Sequence, residues 1–182
     1  MGKNTNKRYD LLVIGAGASG MMAAIIAARE NKKVSIIEKL DKVGKKLLAT
    51  GNGKCNFTNE LMDAQCFHGD KAFVEHVLQC FTVEDCLQFF HSIGIYPKQK
   101  NGYYYPNSEQ ASSVVLALSE ELRRLSVEIK LQTKVDTIQR LKDGFCLISG
   151  NEKFYGNKVI VATGLIASPK LGSDGSLCGF SF

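Results

Sequence analysis

Apolar positions along this chain follow two rhythms. Residues 9–15 (YDLLVIG) and 33–38 (KVSIIE) are short, nearly continuous apolar runs. That is the pattern of strands buried on both faces of a parallel sheet. Between them, 19–30 is rich in Ala and Met and reads as a helix, so 9–40 forms a βαβ unit. Residues 41–59 have no period and contain Gly44, Gly51 and Gly53. They read as a long loop with one helical turn near 45–48, and loops of this length in compact domains usually carry function. Helices are predicted over 71–80 and 83–92. Thr82 caps the second with Asp85 completing a capping box, and Gly94 ends it. Asn101-Gly102 separates 95–100 from 103–105 and signals a hairpin. A helix over 109–125 follows, with Val114, Val115, Leu118, Leu122 and Leu125 at helical spacing. Residues 127–133 read as a strand. The segments 135–141, 144–149 and 152–155 read as an antiparallel meander, and 159–162 as a separate buried strand. The expected class is α/β, a parallel sheet with an antiparallel β-meander. Its parts are the βαβ unit, the loop 41–59, a helical and hairpin segment 70–126, and the meander 134–156.

Composition adds bounds rather than a function. The 182 residues, 45% hydrophobic and 23% charged, suit one globular domain and exclude disorder and collagen. The formal net charge of +5 is mild and the lysines are scattered, so no nucleic-acid partner is expected. The six cysteines form no CxxC pair, which argues against a zinc ribbon or a thioredoxin-like site. Reduced thiols and a cytoplasmic location are the expectation. The uncharged stretch from Leu11 to Ala28 imitates a signal peptide or short membrane span, but Gly15, Gly17 and Gly20 break it early. No membrane association is expected.

The chemistry is concentrated in the first forty residues. Gly15-x-Gly17-x-x-Gly20 follows a strand and opens a helix. The first glycine permits the tight turn, the second a close backbone approach to a diphosphate, and the third helix-on-strand packing. The helix N-terminus then favours the anion. Glu38 closes the second strand with 17 residues between it and Gly20, where a carboxylate can accept hydrogen bonds from an adenosine ribose. A carboxylate there disfavours a 2′-phosphate. The fingerprint alone leaves FAD and NAD open. In the loop, Lys45 and Lys46 can neutralise phosphate charge, or simply be solvated.

Three stretches carry a family resemblance: KKLLATGNGKCNFTN at 45–59, YPNSEQASSVV at 105–115, and VIVATG with SPKLGSDG at 159–164 and 168–175. They resemble the BaiN/YhiN-type flavoproteins, the aminoacetone-oxidase family of FAD-dependent oxidoreductases. The resemblance implies a Rossmann-like FAD-binding domain of the glutathione-reductase type. It also implies that Gly15, Gly17, Ala18, Ser19, Gly20, Glu38 and Lys39 hold the ADP half of FAD. Gly44, Lys45, Thr50, Gly51, Asn52 and Gly53 would line the path to the flavin ring. The backbone of Val135 would meet the adenine, and Ala162, Thr163 and Gly164 would lie beside the cofactor. Family members are longer, with an inserted substrate domain and a closing segment that have no counterpart here, so the chain reads as an N-terminal fragment, apparently truncated. Leu165 stands where the family usually has a second Gly after Ala-Thr-Gly, and 177–182 match poorly.

The implied activity is FAD-dependent oxidation–reduction, with NAD(P)H as a possible electron donor and a small-molecule substrate that the sequence does not identify. The alternatives are an NAD-binding Rossmann dehydrogenase, or a catalytically inactive dinucleotide-binding fragment. A weaker variant, resting only on charge, acts on RNA. No catalytic residue and no metal site emerges. Cys55 is the one thiol in the candidate loop, and a packed structural role suits it better than a redox pair with Cys66. His68, His76 and His91 are isolated. In the hairpin, alternation puts Tyr103 and Tyr105 on one face and Tyr104 on the other.

Overall fold

The computed structural model describes residues 7–166 together with 171, 172 and 175. In chain order the elements are β1 (Arg8–Ile14), α1 (Ala18–Arg29), β2 (Val34–Ile37), β3 (Thr58–Asn59), α2 (Lys71–Cys80), α3 (Val83–Ser92), β4 (Pro97–Lys100) and β5 (Tyr103–Pro106). Then come α4 (Ala111–Arg124), β6 (Glu128–Lys130), β7 (Thr137–Leu141), β8 (Gly144–Ser149) and β9 (Glu152–Val161). The chain forms two compact units. One takes the chain up to Leu47 and from Leu118 onward; the other is Leu48–Ala117.

The first unit is built on a six-stranded sheet ordered β6-β2-β1-β9-β8-β7. The first four strands are parallel; β8 and β7 turn back as the antiparallel meander. The continuous apolar runs are the central parallel strands, as expected for strands covered on both faces. Leu12 and Val13 are fully buried in β1, and all four residues of β2 are buried. Helix α1 turns Gly20, Met21, Ala24, Ile25 and Ala28 inward, a stripe at helical spacing. A second core gathers Leu12, Ile14, Ile37, Val135, Ile138, Leu147 and Phe154. Burying each large aliphatic chain of this kind stabilises by about 1.5–3 kcal/mol.

Two expectations change in this unit. The meander's last strand and the strand expected to be buried before Ala-Thr-Gly are one ten-residue strand, β9, and its end is not buried: Ile160 and Val161 are exposed. Its first half pairs antiparallel with β8 and its second half parallel with β1. The chain manages this beside a bulge, where the N–H groups of Asp10 and Leu11 both donate to the Lys33 carbonyl, at 2.8 and 3.3 Å. The Asp10 carboxylate also accepts from the Lys33 N–H at 2.8 Å. Gly156 is needed beside this point, because a β-carbon there would lie 2.7 Å from Leu12 Cγ. The strand expected over 127–133 is shortened to β6 because Ser126 and Gln132, on either side, take left-handed backbone angles (φ +56° and +52°).

In the second unit, α2 and α3 have the predicted bounds, and the Thr82–Asp85 capping box forms in both directions. Three strands pair in the order β3-β5-β4. Asn101 and Gly102 both have positive φ (+53° and +83°), the type I′ geometry that matches hairpin twist. The loop carries a 3₁₀ segment over Leu47–Gly53, interrupted at Thr50, Gly51 and Asn52. The helix expected over 109–125 is α4, starting at Ala111.

Glu121 on α4 is buried and ion-paired with Arg124 at 2.7 Å and with Arg29 of α1 at 2.8 Å. Hydrogen bonds from Arg124 and then Arg29 hold its carboxyl down to about 2 against the cost of burial. The folded value lies below the unfolded one. The stabilisation is therefore complete above the ordinary glutamate range near pH 4.5 and is lost as pH falls toward 2. Glu121→Gln should remove this part of the acid dependence. Urea-unfolding midpoints measured from pH 5 to pH 2.5 should fall less steeply in the variant than in the wild type.

Candidate functional site

The turn between β1 and α1 is packed too tightly for side chains at two of its three glycines. A β-carbon on Gly15, whose φ is +103°, would lie 2.6 Å from the Ala162 carbonyl oxygen. One on Gly20 would lie 2.0 Å from the Gly15 carbonyl oxygen and 3.3 Å from the Ala162 side chain. Gly17 differs: it sits at the N-cap of α1 with extended backbone, and a β-carbon there would have nothing within 4 Å. No side chain caps α1 and no acidic residue occupies its first turn. The helix N-terminus thus presents free N–H groups and positive dipole to open space.

That space is a cavity of about 250 Å³ at the ends of β1, β2 and β9. Backbone hydrogen bonds knit its walls: Gly15 N–H to Ile37, Ala162 N–H to Ile14, Gly44 N–H to Ala16, and Thr133 N–H to Glu38, each 2.8–2.9 Å. Glu38 is 7% exposed and lines the cavity. Its Oε2 accepts from the Ala16 N–H at 2.6 Å and its Oε1 from the Leu40 N–H at 2.8 Å. A carboxylate offers about four lone-pair directions, so each oxygen keeps acceptor capacity toward the cavity. Lys39, Lys42, Lys45, Lys46 and Lys134 also line it. Five ammonium groups against one carboxylate favour an anionic occupant.

The cavity brings together most of the residues singled out from the sequence: Gly15, Gly17, Ala18, Ser19, Glu38, Lys39, Gly44, Lys45, Val135, Ala162, Thr163 and Gly164. Gly20 is not on the wall but beneath it, in the packing role its position predicts. Thr50, Gly51, Asn52 and Gly53 belong to the second unit and are not among the lining residues. Lining residues that sequence reasoning missed include Leu40, Lys42, Thr133, Lys134 and Gly172. Lys42 lies in the same basic loop as Lys45, a signal that was available. Thr133 and Lys134 arrive through the pairing of β6 with β2, which no local pattern announces. Of the SPKLGSDG stretch, only 171, 172 and 175 fall within the described residues; 177–182 fall outside them.

The remaining candidates are quiet. Cys55 is 1% exposed, and burial pushes its thiol above the usual cysteine range. It behaves as a packed residue rather than a thiolate nucleophile. Cys86 is pushed up to about 11 for the same reason. Among the described residues no group of three or more His, Cys, Asp or Glu side chains is arranged to hold a metal. No helix among them is long and apolar enough to cross a membrane.

A parallel βαβ core with a glycine-lined turn, an acid at the end of the second strand and an added meander defines a Rossmann domain. The chain belongs to the HI0933-like family: the HI0933-like protein Rossmann domain matches residues 9–181. The family is one of FAD-dependent oxidoreductases of the BaiN/YhiN type. Over 167 residues the chain is 47% identical to a 3-dehydro-bile acid delta(4,6)-reductase of Clostridium scindens, covering 90% of this chain and 41% of that protein. It is 29% identical over 169 residues to a ribosomal RNA dihydrouridine synthase of Escherichia coli, covering 92% and 42%. The chain thus spans about two-fifths of the length of these relatives. A 3-ketosteroid-delta4-(5alpha)-dehydrogenase from Rhodococcus jostii shares the fold at a TM-score of 0.67 and 15% identity, over 89% of this chain and 47% of that one.

The glycines make a paired prediction. Gly20→Ala should lower the thermal unfolding midpoint clearly, because its β-carbon meets backbone that cannot swing away. Gly17→Ala should lower it much less, because its β-carbon meets nothing within 4 Å and only the N-cap preference of α1 is lost. Equal midpoints for the two variants would contradict the packing described.

Proposed function

We propose that the cavity of the first unit holds the ADP half of FAD and that the whole protein is a flavin-dependent reductase. The carrying observation is the open, uncapped N-terminus of α1 facing a lysine-ringed cavity that also contains the Glu38 carboxylate. The residues fit the group. Amides at Ala18 and Ser19 suit the diphosphate, and Gly17 leaves room for its oxygens. Lys39 and Lys45 offset its charge, and Glu38 accepts from ribose hydroxyls. The backbone at Val135 suits the adenine edge, and Gly44, Ala162, Thr163 and Gly164 complete the wall. The cavity is smaller than the roughly 300–1,000 Å³ of a complete small-molecule site, which suits one end of an elongated dinucleotide. Thr50, Gly51, Asn52 and Gly53 keep, within this proposal, the flavin-side role that the family resemblance implies.

Bound flavin supplies hydride and electron transfer. The chain's own residues supply binding, orientation and electrostatics. The relatives' names narrow the reaction class. Reduction of a 3-dehydro bile acid at its delta(4,6) positions and formation of dihydrouridine both add hydrogen across a carbon–carbon double bond conjugated with a carbonyl group. We extend that class to the full-length form of this protein, with NAD(P)H as the electron donor.

The test is a titration of FAD into the protein, followed by quenching of flavin fluorescence. The wild type should bind FAD. Gly17→Ala, which leaves the fold unstrained, should weaken binding by about tenfold or more, that is 1.4 kcal/mol. Glu38→Gln should do the same through the ribose. Binding of NAD with no uptake of FAD would instead favour the simple dehydrogenase reading.

A further inference from the structure

Helix α2 of the second unit buries none of its residues fully. Phe73 is 67% exposed, and His76, Val77 and Cys80 are exposed as well. Residues three and four apart share a helix face, so these four form one stripe. Phe81, also exposed, extends it at the C-cap. The helix itself is anchored at its start. The Asp70 carboxylate accepts from the N–H groups of Ala72 and Phe73 at 3.0 and 3.1 Å. The Lys71 ammonium donates to the carbonyls of Ala64 and Gln65 at 3.1 and 3.3 Å. The stripe is therefore presented to solvent on a fixed frame.

His76 and Cys80 stand one turn apart, with the Cys80 Sγ 3.8 Å from the His76 Nε2. That is close to the edge of a zinc tetrahedron. Zn–S and Zn–N bonds of about 2.3 and 2.0 Å at the tetrahedral angle put sulfur and nitrogen about 3.6 Å apart. The two side chains are thus already spaced as neighbouring ligands of one metal ion. Among the described residues no group of three or more His, Cys, Asp or Glu side chains could hold a metal, so within one chain the set is half complete.

We propose that His76 and Cys80 are half of a zinc site that a second copy of this chain completes with the same pair. A two-fold axis through the metal brings two ligands from each side and makes an isologous interface with a tetrahedral set of two sulfurs and two nitrogens. Thiolate and imidazole together select zinc over hard cations that prefer oxygen. The same axis sets the apolar stripes of the two helices against each other. Two phenylalanines and a valine per copy bury well under the roughly 800 Å² per partner of a standard interface. The stripe alone therefore does not hold the pair, and the metal decides it. Binding releases the Cys80 thiol proton of each copy to buffer, and no electron is transferred. The site lies in the second unit and does not rest on the flavin reading, which places the ADP half of its ligand in the first.

The experiment titrates zinc chloride into the 182-residue chain after removal of metal with a chelator. A phosphine reductant that does not bind zinc keeps the thiols reduced. Mass is followed by equilibrium sedimentation. The chain should be monomeric in chelator and dimeric with zinc, and the transition should end at one zinc per two chains. Cobalt(II) in place of zinc should give the sulfur-to-metal charge-transfer band of a tetrahedral thiolate site. Cys80→Ser and His76→Gln should each abolish the zinc-dependent dimer and leave the far-ultraviolet circular dichroism unchanged, because both side chains are exposed. His76→Cys, which keeps a ligand at that position, should retain it. Cys66→Ser, at an exposed thiol elsewhere in the second unit, should dimerise like the wild type. A mass unchanged by zinc, one zinc bound per monomer, a dimer that persists in chelator, or a zinc-dependent dimer in Cys80→Ser would each overturn the proposal.

Discussion

Two glycines without side chains decide how closely the opening turn approaches strand β9, and the cavity exists because of that approach. The gap between where a Gly20 β-carbon would stand and the Gly15 carbonyl oxygen is 2.0 Å, well inside contact distance. Helix α1 can therefore press its first turn onto β1, directing its free amides over the strand ends rather than away from them. The Gly15 conformation lets the chain reverse under Ala162 instead of colliding with it. The glycine pattern is thus first a packing device, and only then a ligand device; Gly17 alone belongs wholly to the second role.

Glu38 joins those two roles in one side chain. Its two oxygens tie the residue after Gly15 and the start of the basic loop to the end of β2 through backbone N–H groups. Hydrogen bonds to an ionised acceptor are stronger than neutral ones, so this pair fixes the loop from which the lysines reach the cavity. The same group that shapes the wall keeps lone pairs facing inward.

How much of this was legible in the sequence depends on how local each determinant is. The capping box at Thr82 and Asp85, the Asn101-Gly102 turn and the βαβ unit are written within a few residues, and each formed where the pattern placed it. The glycine fingerprint is legible for the same reason. The continuity of β9 was not, because Gly156-Asn157 looks like a turn in isolation. It becomes strand only because β1 bulges beside it and Leu12 needs the space. The β6 strand was overextended because nothing in Leu131-Gln132-Thr133 advertises the left-handed Gln132. Thr133 and Lys134 enter the cavity only through the register of β6 on β2, a nonlocal fact.

The loop 41–59 makes the same point at larger scale. This aperiodic, glycine-rich stretch is shared between the two units, which part near Leu47. Its first part contributes Lys42, Gly44, Lys45 and Lys46 to the cavity of the first unit. In its second part Gly51, Asn52 and Cys55 adopt left-handed backbone, and Cys55 is buried. A Gly51 β-carbon would lie 2.8 Å from the Asn56 amide nitrogen. Backbone packing, rather than ligand approach alone, therefore accounts for glycine at that position. Asn52 and Cys55 hold left-handed angles without being glycine, at a cost of order 1–3 kcal/mol each, which the surrounding structure must offset. Strain retained at the exposed Asn52 and the buried Cys55 is better explained by a shape the loop must keep than by freedom to move.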